Sequence, residues 1–260
     1  VSLYADAIVA RSVGVEYDLR LTQRRTLRRA LGENLHPRRQ AGPSKFWALE
    51  DVTFAAQQGD AIGVIGQNGA GKSTLLLTIA GILKPDRGTM RTFGRVSTLL
   101  TLGAGFDPDM TGRENVFLNG AFLGFHRAKI EEVFPAIVEF SGLQAFIDVP
   151  LRKYSAGMRT RLAFAIASHV EPEVLLLDEV LGVGDEAFRA RSSERIFELM
   201  EAANVIVVVS HDLAFVQRTC TKVLWLHEGR TAAFGEPAAV VAKYQAYAAD
   251  PSPVLRAAAS

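Results

Sequence analysis

Several common classes of protein leave marks that this chain of 260 residues lacks. Cys220 is its only cysteine, which excludes an internal disulfide and a cysteine-based zinc cluster. A small core thiol, not a nucleophile, is expected there. Basic residues (29) exceed acidic ones (28) by one, and so small an excess argues against a general nucleic-acid binder. Any attachment to a membrane must then come from a partner or a local patch. No apolar run reaches the ~20 residues of a membrane span. The first residues show no basic-then-apolar leader, so a cytosolic placement is expected. His36, His126, His169, His211 and His227 share no ligand-like spacing, so no transition-metal site is expected. No internal repeat is visible. What the chain does have is 48% hydrophobic residues, enough for a substantial core.

The most informative stretch is Gly-Gln-Asn-Gly-Ala-Gly-Lys-Ser-Thr at residues 66–74. It fills the pattern G-x-x-x-x-G-K-[ST], with Gly66, Gly71, Lys72 and Ser73 in the defining places. The glycines let backbone wrap closely around an anion, the lysine reaches the outer phosphates, and the hydroxyl suits magnesium. An apolar run, Ala61 to Ile65, precedes the loop as a strand, and Thr74 to Ala80 follows as the start of a helix. Consecutive backbone N–H groups and the positive end of the helix dipole then converge on a triphosphate, with Asn68, Gly69, Ala70 and Thr74 also expected to bind it. The chain is expected to bind a nucleoside triphosphate.

Strand-like runs return at Val174–Leu177, Val205–Val209 and Val223–Leu226, separated by helical segments. That alternation predicts an α/β fold with a mainly parallel sheet covered on both faces. Val1 to about Tyr17 reads as an edge strand. Residues 104–150 have helical spacing, as in Ile130, Val133, Phe134, Ile137 and Val138, and predict an inserted helical piece. From Glu236 onward one short helix and a frayed tail are expected.

Val174 to Glu179 is an apolar strand ending in two carboxylates. Asp178 at the strand's carboxyl end suits a magnesium-bound water beside the phosphate loop, and Glu179 can polarise an attacking water. His211 ends another strand, where an imidazole can contact a γ-phosphate. Ser155, Ala156 and Gly157 form a small-residue loop opening a helix, again an anion-binding geometry. A head-to-tail dimer, in which that helix of one copy caps the triphosphate of the other, accounts for it.

Together these residues resemble the nucleotide-binding subunit of an ATP-binding cassette transporter over nearly the whole chain. Gly66–Thr74 matches the Walker A loop, Tyr154–Met158 the signature motif, and Leu175–Glu179 the Walker B strand with its catalytic glutamate. Leu181–Asp185 matches the D-loop and His211 the switch histidine. Tyr17 stands where such proteins place an aromatic that stacks on adenine; a core tyrosine at a strand end is the other reading. The resemblance implies a P-loop NTPase cassette: a RecA-like core (1–103 and 168–235) with an antiparallel β edge, a helical subdomain (104–167), and a C-terminal helix and tail (236–260). It implies ATP and Mg2+ as cofactors, a homodimer, two copies of an integral-membrane permease, and a peripheral position on the cytoplasmic side of the inner membrane.

Three stretches narrow the resemblance. Leu99 to Phe106 with Thr111-Gly112-Arg113-Glu114-Asn115, Tyr154 to Met158 with Arg161 to Ala165, and Asp178 to Phe188 are similar to the subfamily exporting polysaccharides and polyol phosphates. That subfamily handles lipid-linked O-antigen, capsule, teichoic acid or galactan. Some members carry a further C-terminal glycan-binding domain; none is expected within 236–260, so glycan selectivity is expected elsewhere. Two departures stand out: Thr101 or Leu102 takes the place of a coupling glutamine, and the signature ends in Met158 where glutamine is usual. Turnover is therefore expected to depend strongly on the partner.

Residues 18–46 hold seven arginines: Arg20, Arg24, Arg25, Arg28, Arg29, Arg38 and Arg39. This insertion reads as a solvated loop, or as a basic element facing anionic lipid or a substrate pyrophosphate, with Leu27, Leu31 and Leu35 as a helical stripe. Rival readings of the whole chain are a cassette ATPase of DNA repair or translation, an exporter of another substrate, and a P-loop kinase or GTPase. The first would need a coiled-coil insertion or a second cassette, and a GTPase an Asn-Lys-x-Asp-type reader; neither is found.

Overall fold

The computed structural model describes residues 6–18, 45–98, 103, 105–169, 172–178 and 186–250. In chain order the elements are β1 (Asp6–Asp18), β2 (Lys45–Gln57), β3 (Ala61–Ile65), α1 (Lys72–Ile79), β4 (Arg87–Thr92) and β5 (Val96–Thr98). There follow α2 (Gly112–Phe122), α3 (Arg127–Ser141), a 3-10 turn (Leu151–Lys153), α4 (Ala156–Ser168) and β6 (Val174–Asp178). The chain continues through α5 (Glu186–Ala202), β7 (Val205–Val209), α6 (Leu213–Thr219), β8 (Lys222–His227), β9 (Arg230–Gly235) and α7 (Pro237–Ala249).

The described strands form one sheet in the order β4-β1-β2-β9-β8-β3-β7-β6-β5. From β8 through β3, β7 and β6 to β5 the pairing is parallel, while β4-β1-β2 and β8-β9 are antiparallel. β3 and β7, and β6 up to its last residue Asp178, are apolar because both their faces are covered. Alternate residues of β3, β6 and β7 divide between two cores. Ile62, Val64, Val174, Leu176, Val205 and Val207 join Leu75, Leu76 and Ile79 of α1 on one face. Ala61, Ile65, Leu175, Leu177, Ile206 and Val208 meet Phe188 and Ile196 of α5, Val216 of α6 and Val241 of α7 on the other. Cys220 lies buried in this second core, which pushes its thiol up to about 12 and leaves it protonated at neutral pH.

Helices α2, α3 and α4 enclose a third cluster built on Val116, Ile130, Ile137, Leu162 and Ile166. Helix α4 serves two clusters, since Phe164 and Ala167 face the sheet core while Leu162, Ala165 and Ile166 face the helices. Phe140 of α3 packs against both clusters. It stacks on Phe164 at 5.9 Å and meets Phe188 edge-on at 5.5 Å, and the Arg191 guanidinium lies over it at 5.7 Å.

The expectation of an edge strand before Tyr17 is corrected. β1 is flanked on both sides, by β2 and by β4, and the edge belongs to β4. β4 escaped notice because Arg87, Thr89 and Arg91 face solvent and leave only Met90 and Thr92 to face inward, too weak an apolar alternation to read. The arginine-rich segment and its leucine stripe lie outside the described residues, as do Thr101 and Leu102. Its flanks do not: Asp18 and Lys45 pair across β1 and β2.

Candidate nucleotide site

The phosphate loop begins where β3 stops, between β7 and β8. Gly66 has φ 152° and a Cβ there would strike the Leu226 carbonyl oxygen. Gly71 caps α1 at φ 100°, and a Cβ there would collide with the Ala48 carbonyl oxygen. Both positions therefore require glycine for shape as well as for backbone angle. Lys72 opens α1 and is 8% exposed. Its Nζ donates to the carbonyl oxygens of Gly66 at 2.8 Å and Gln67 at 3.0 Å. Burial lowers its pKa, and the nearby Asp178 carboxylate works in the opposite sense.

The carboxyl ends of β3, β7 and β6 lie side by side, the usual ligand crevice of an open parallel sheet. Asp178 ends β6, His211 follows β7, and the Ser73 hydroxyl donates to Asp178 Oδ2 at 3.2 Å. A cleft of about 360 Å³ is lined by Asn68, Gly69, Gly71, Lys72, Ser73 and Thr74, together with Asp178 and His211. Tyr17, Phe46 and Ala48 line it too. Of these, Tyr17 was legible in the sequence; Phe46 and Ala48 were not, because a strand following an unassigned segment carries no motif. Gly66 and Ala70 shape the loop from behind: Ala70 is buried, and its carbonyl accepts from Gly229 N–H at 3.2 Å.

Ser155 caps α4, accepting from the Met158 N–H at 3.2 Å. Ser155, Ala156 and Gly157 are exposed, and none of them lines the cleft of the same chain. Met158 is half-buried against the helical cluster, so the residue in the place of the usual glutamine anchors the start of α4. Glu179 and Asp185 lie outside the described residues.

Thr111 to Asn115 brace the turn that opens α2 and pack against Tyr154. Thr111 and Glu114 form a reciprocal cap, with Thr111 N–H donating to Glu114 Oε2 at 2.8 Å and Glu114 N–H to Thr111 Oγ1 at 3.2 Å. Asn115 is fully buried, and its Nδ2 donates to the carbonyl oxygens of Asp107, Met110 and Thr111. Arg113 pairs with Asp148 at 2.7 Å. A Cβ on Gly112 would strike the Tyr154 hydroxyl, which donates to the Phe146 carbonyl at 2.6 Å just before Ser155.

A glycine loop between β3 and α1, and a serine–aspartate contact across the strand ends, define a P-loop nucleoside triphosphatase. Residues 49–182 match the ABC transporter family, to which the chain belongs as an ATP-binding, ATP-hydrolysing subunit. It is 43% identical over 201 residues to the O-antigen export system ATP-binding protein RfbB of Klebsiella pneumoniae, covering 77% of this chain and 82% of that one. Against the teichoic acids export ATP-binding protein TagH of Staphylococcus haemolyticus it is 38% identical, covering 79% and 77% respectively. Among solved structures, an ATP-binding subunit of an ABC transporter superposes with a TM-score of 0.66 at 22% identity, covering 92% of this chain and 93% of that one. A dimeric ATP-binding cassette in a post-hydrolysis state, bound to ADP and Pi, gives 0.62 at 19% identity, covering 88% and 98%. At these identities the structural likeness establishes the fold. No helix among the described residues is long and apolar enough to cross a membrane.

Proposed function

We propose that two copies of this subunit, lying on the cytoplasmic side of the inner membrane, power export of a lipid-linked polysaccharide through two copies of a separate integral-membrane permease. The kinship with subunits named for O-antigen and teichoic acid export, at 43% and 38% identity, carries the substrate class. Residues 104–167 act as the helical subdomain, whose helices within 104–150 receive a coupling helix of the permease, and 1–103 with 168–235 as the ATP-binding core.

In this reading Lys72 binds the β- and γ-phosphates, Thr74 the α-phosphate, and Tyr17 stacks on adenine. Glu179 orients the attacking water and His211 senses the γ-phosphate. Asp185 lies at the seam, and Ser155, Ala156 and Gly157 of a second copy close the site; the exposure of Ser155 to Gly157 outside the cleft of their own chain supports that role. The Ser73 hydroxyl and Asp178 carboxylate, both hard oxygen donors 3.2 Å apart, suit Mg2+, which when bound neutralises phosphate charge, with Asp178 reaching it through water. Closure of the two copies drives the helical subdomains and hence the permease. The test is a cell whose only copy carries Lys72→Ala. Surface polysaccharide should disappear while its lipid-linked form accumulates inside; unchanged surface polysaccharide would refute the proposal.

A further inference from the structure

We infer that Phe46 is a second base-contacting residue, its ring and that of Tyr17 forming one wall for the base of the bound nucleotide. The inference rests on the cleft being the nucleotide site. Tyr17 and Phe46 stand directly opposite each other in the antiparallel pair of β1 and β2. Facing residues of such a pair project to the same side of the sheet. Both line the cleft that holds Lys72 and Ser73.

An exposed apolar side chain alone means little. Location separates these two from the rest. Ile82, Phe93, Met110, Phe122, Phe146 and Phe197 are also large and exposed, yet among the described residues only Tyr17 and Phe46 of this kind line the phosphate-loop cleft. Phe46 is 51% exposed, and Tyr17 39%.

The position of Phe46 is fixed by the fold. Ala48, two residues further along β2 at an irregularity in its pairing with β1, lines the same cleft. Its carbonyl lies flush against Gly71, the cap of α1, leaving no room for a Cβ. The strand is thereby held against the phosphate loop at one end, with Phe46 two residues away. A phenylalanine ring can offer a base only its π-face and apolar edge, with no donor or acceptor. Its contribution is stacking, which acts on the base and not on the phosphates.

Equilibrium binding of Mg·ATP and of inorganic tripolyphosphate, measured on the full chain, separates the two ends of the site. Phe46→Ala and Phe46→Leu should each weaken ATP roughly 10-fold, the scale of one lost base–aromatic stack, and leave tripolyphosphate unchanged. Phe46→Trp should restore ATP binding. Lys72→Ala should weaken both ligands. ATP binding by Phe46→Ala within about twofold of the parent, with Lys72→Ala still impaired, would overturn the role of Phe46 and leave the nucleotide site standing. Equal weakening of both ligands by Phe46→Ala, or parental ATP binding by Phe46→Leu, would also overturn it. Lys72→Ala binding both ligands normally would bring down the nucleotide site itself, and this inference with it.

Discussion

The Ser73 hydroxyl donates to Asp178 Oδ2 across 3.2 Å, joining the start of α1 to the end of β6 over 105 positions of sequence. Neither residue needs the other for packing, since both stand at the rim of the cleft. Their contact is what sets two hard oxygen donors beside the phosphate loop.

Removing either donor should therefore cost hydrolysis more than folding. Ser73→Ala and Asp178→Asn are expected to lower kcat by ~100-fold or more, the scale of losing one preorganised electrostatic contact. Thermal unfolding without nucleotide should move by no more than a few degrees. Steady-state phosphate release and a melting curve on the same samples check both halves.

Lys72 gives ATP binding a pH dependence. Burial holds its pKa below the ordinary value of 10.5, and a phosphate partner would raise it again. Between those two pKa values binding must take up a proton, so affinity falls as pH rises through the window. Calorimetry in two buffers of different ionisation enthalpy should show proton uptake at alkaline pH, absent in Lys72→Arg. The same shift acts on stability with a definite sign. The unfolded chain holds the Lys72 proton up to a higher pH, so this residue's contribution to stability rises with pH between the lowered value and 10.5.

Phe188 tests how the helical cluster is attached to the sheet. It is 1% exposed and meets Phe140 and Phe164 edge-on at 5.5 and 5.8 Å. Phe188→Ala should destabilise the chain by ~3–5 kcal/mol. A lower urea midpoint with an unchanged m-value is the expected record.

The parts of this molecule that could be read from sequence are those whose chemistry is local. Gly66 to Thr74 is a contiguous motif, and β3, β6 and β7 are unbroken apolar runs because both faces are buried. Their matching to two separate cores, and the meeting of Asp178 with Ser73, follow from strand order, which no single segment encodes. β4 was illegible since its outer face is Arg87, Thr89 and Arg91. β9, with the pattern Arg-Thr-Ala-Ala-Phe-Gly, hid for a related reason: it pairs with β8, but its alanines and glycine carry little strand signal. Phe46 was missed because its role depends on the residue facing it across β1, 29 positions away. Thr111 to Asn115 was recognisable as a family feature, yet the reason for it emerged only with the buried amide of Asn115 and the tyrosine hydroxyl packed against Gly112.

The proposed cycle requires one ATP to be enclosed by two chains, Lys72 on one side and the exposed Ser155 to Gly157 on the other. Light scattering of Glu179→Gln in saturating Mg·ATP tests this most directly, because slowed hydrolysis should hold the closed state. A mass of two chains, falling back to one when Ser155→Arg is added, is the predicted result. A single-chain mass throughout the ATP titration would contradict it.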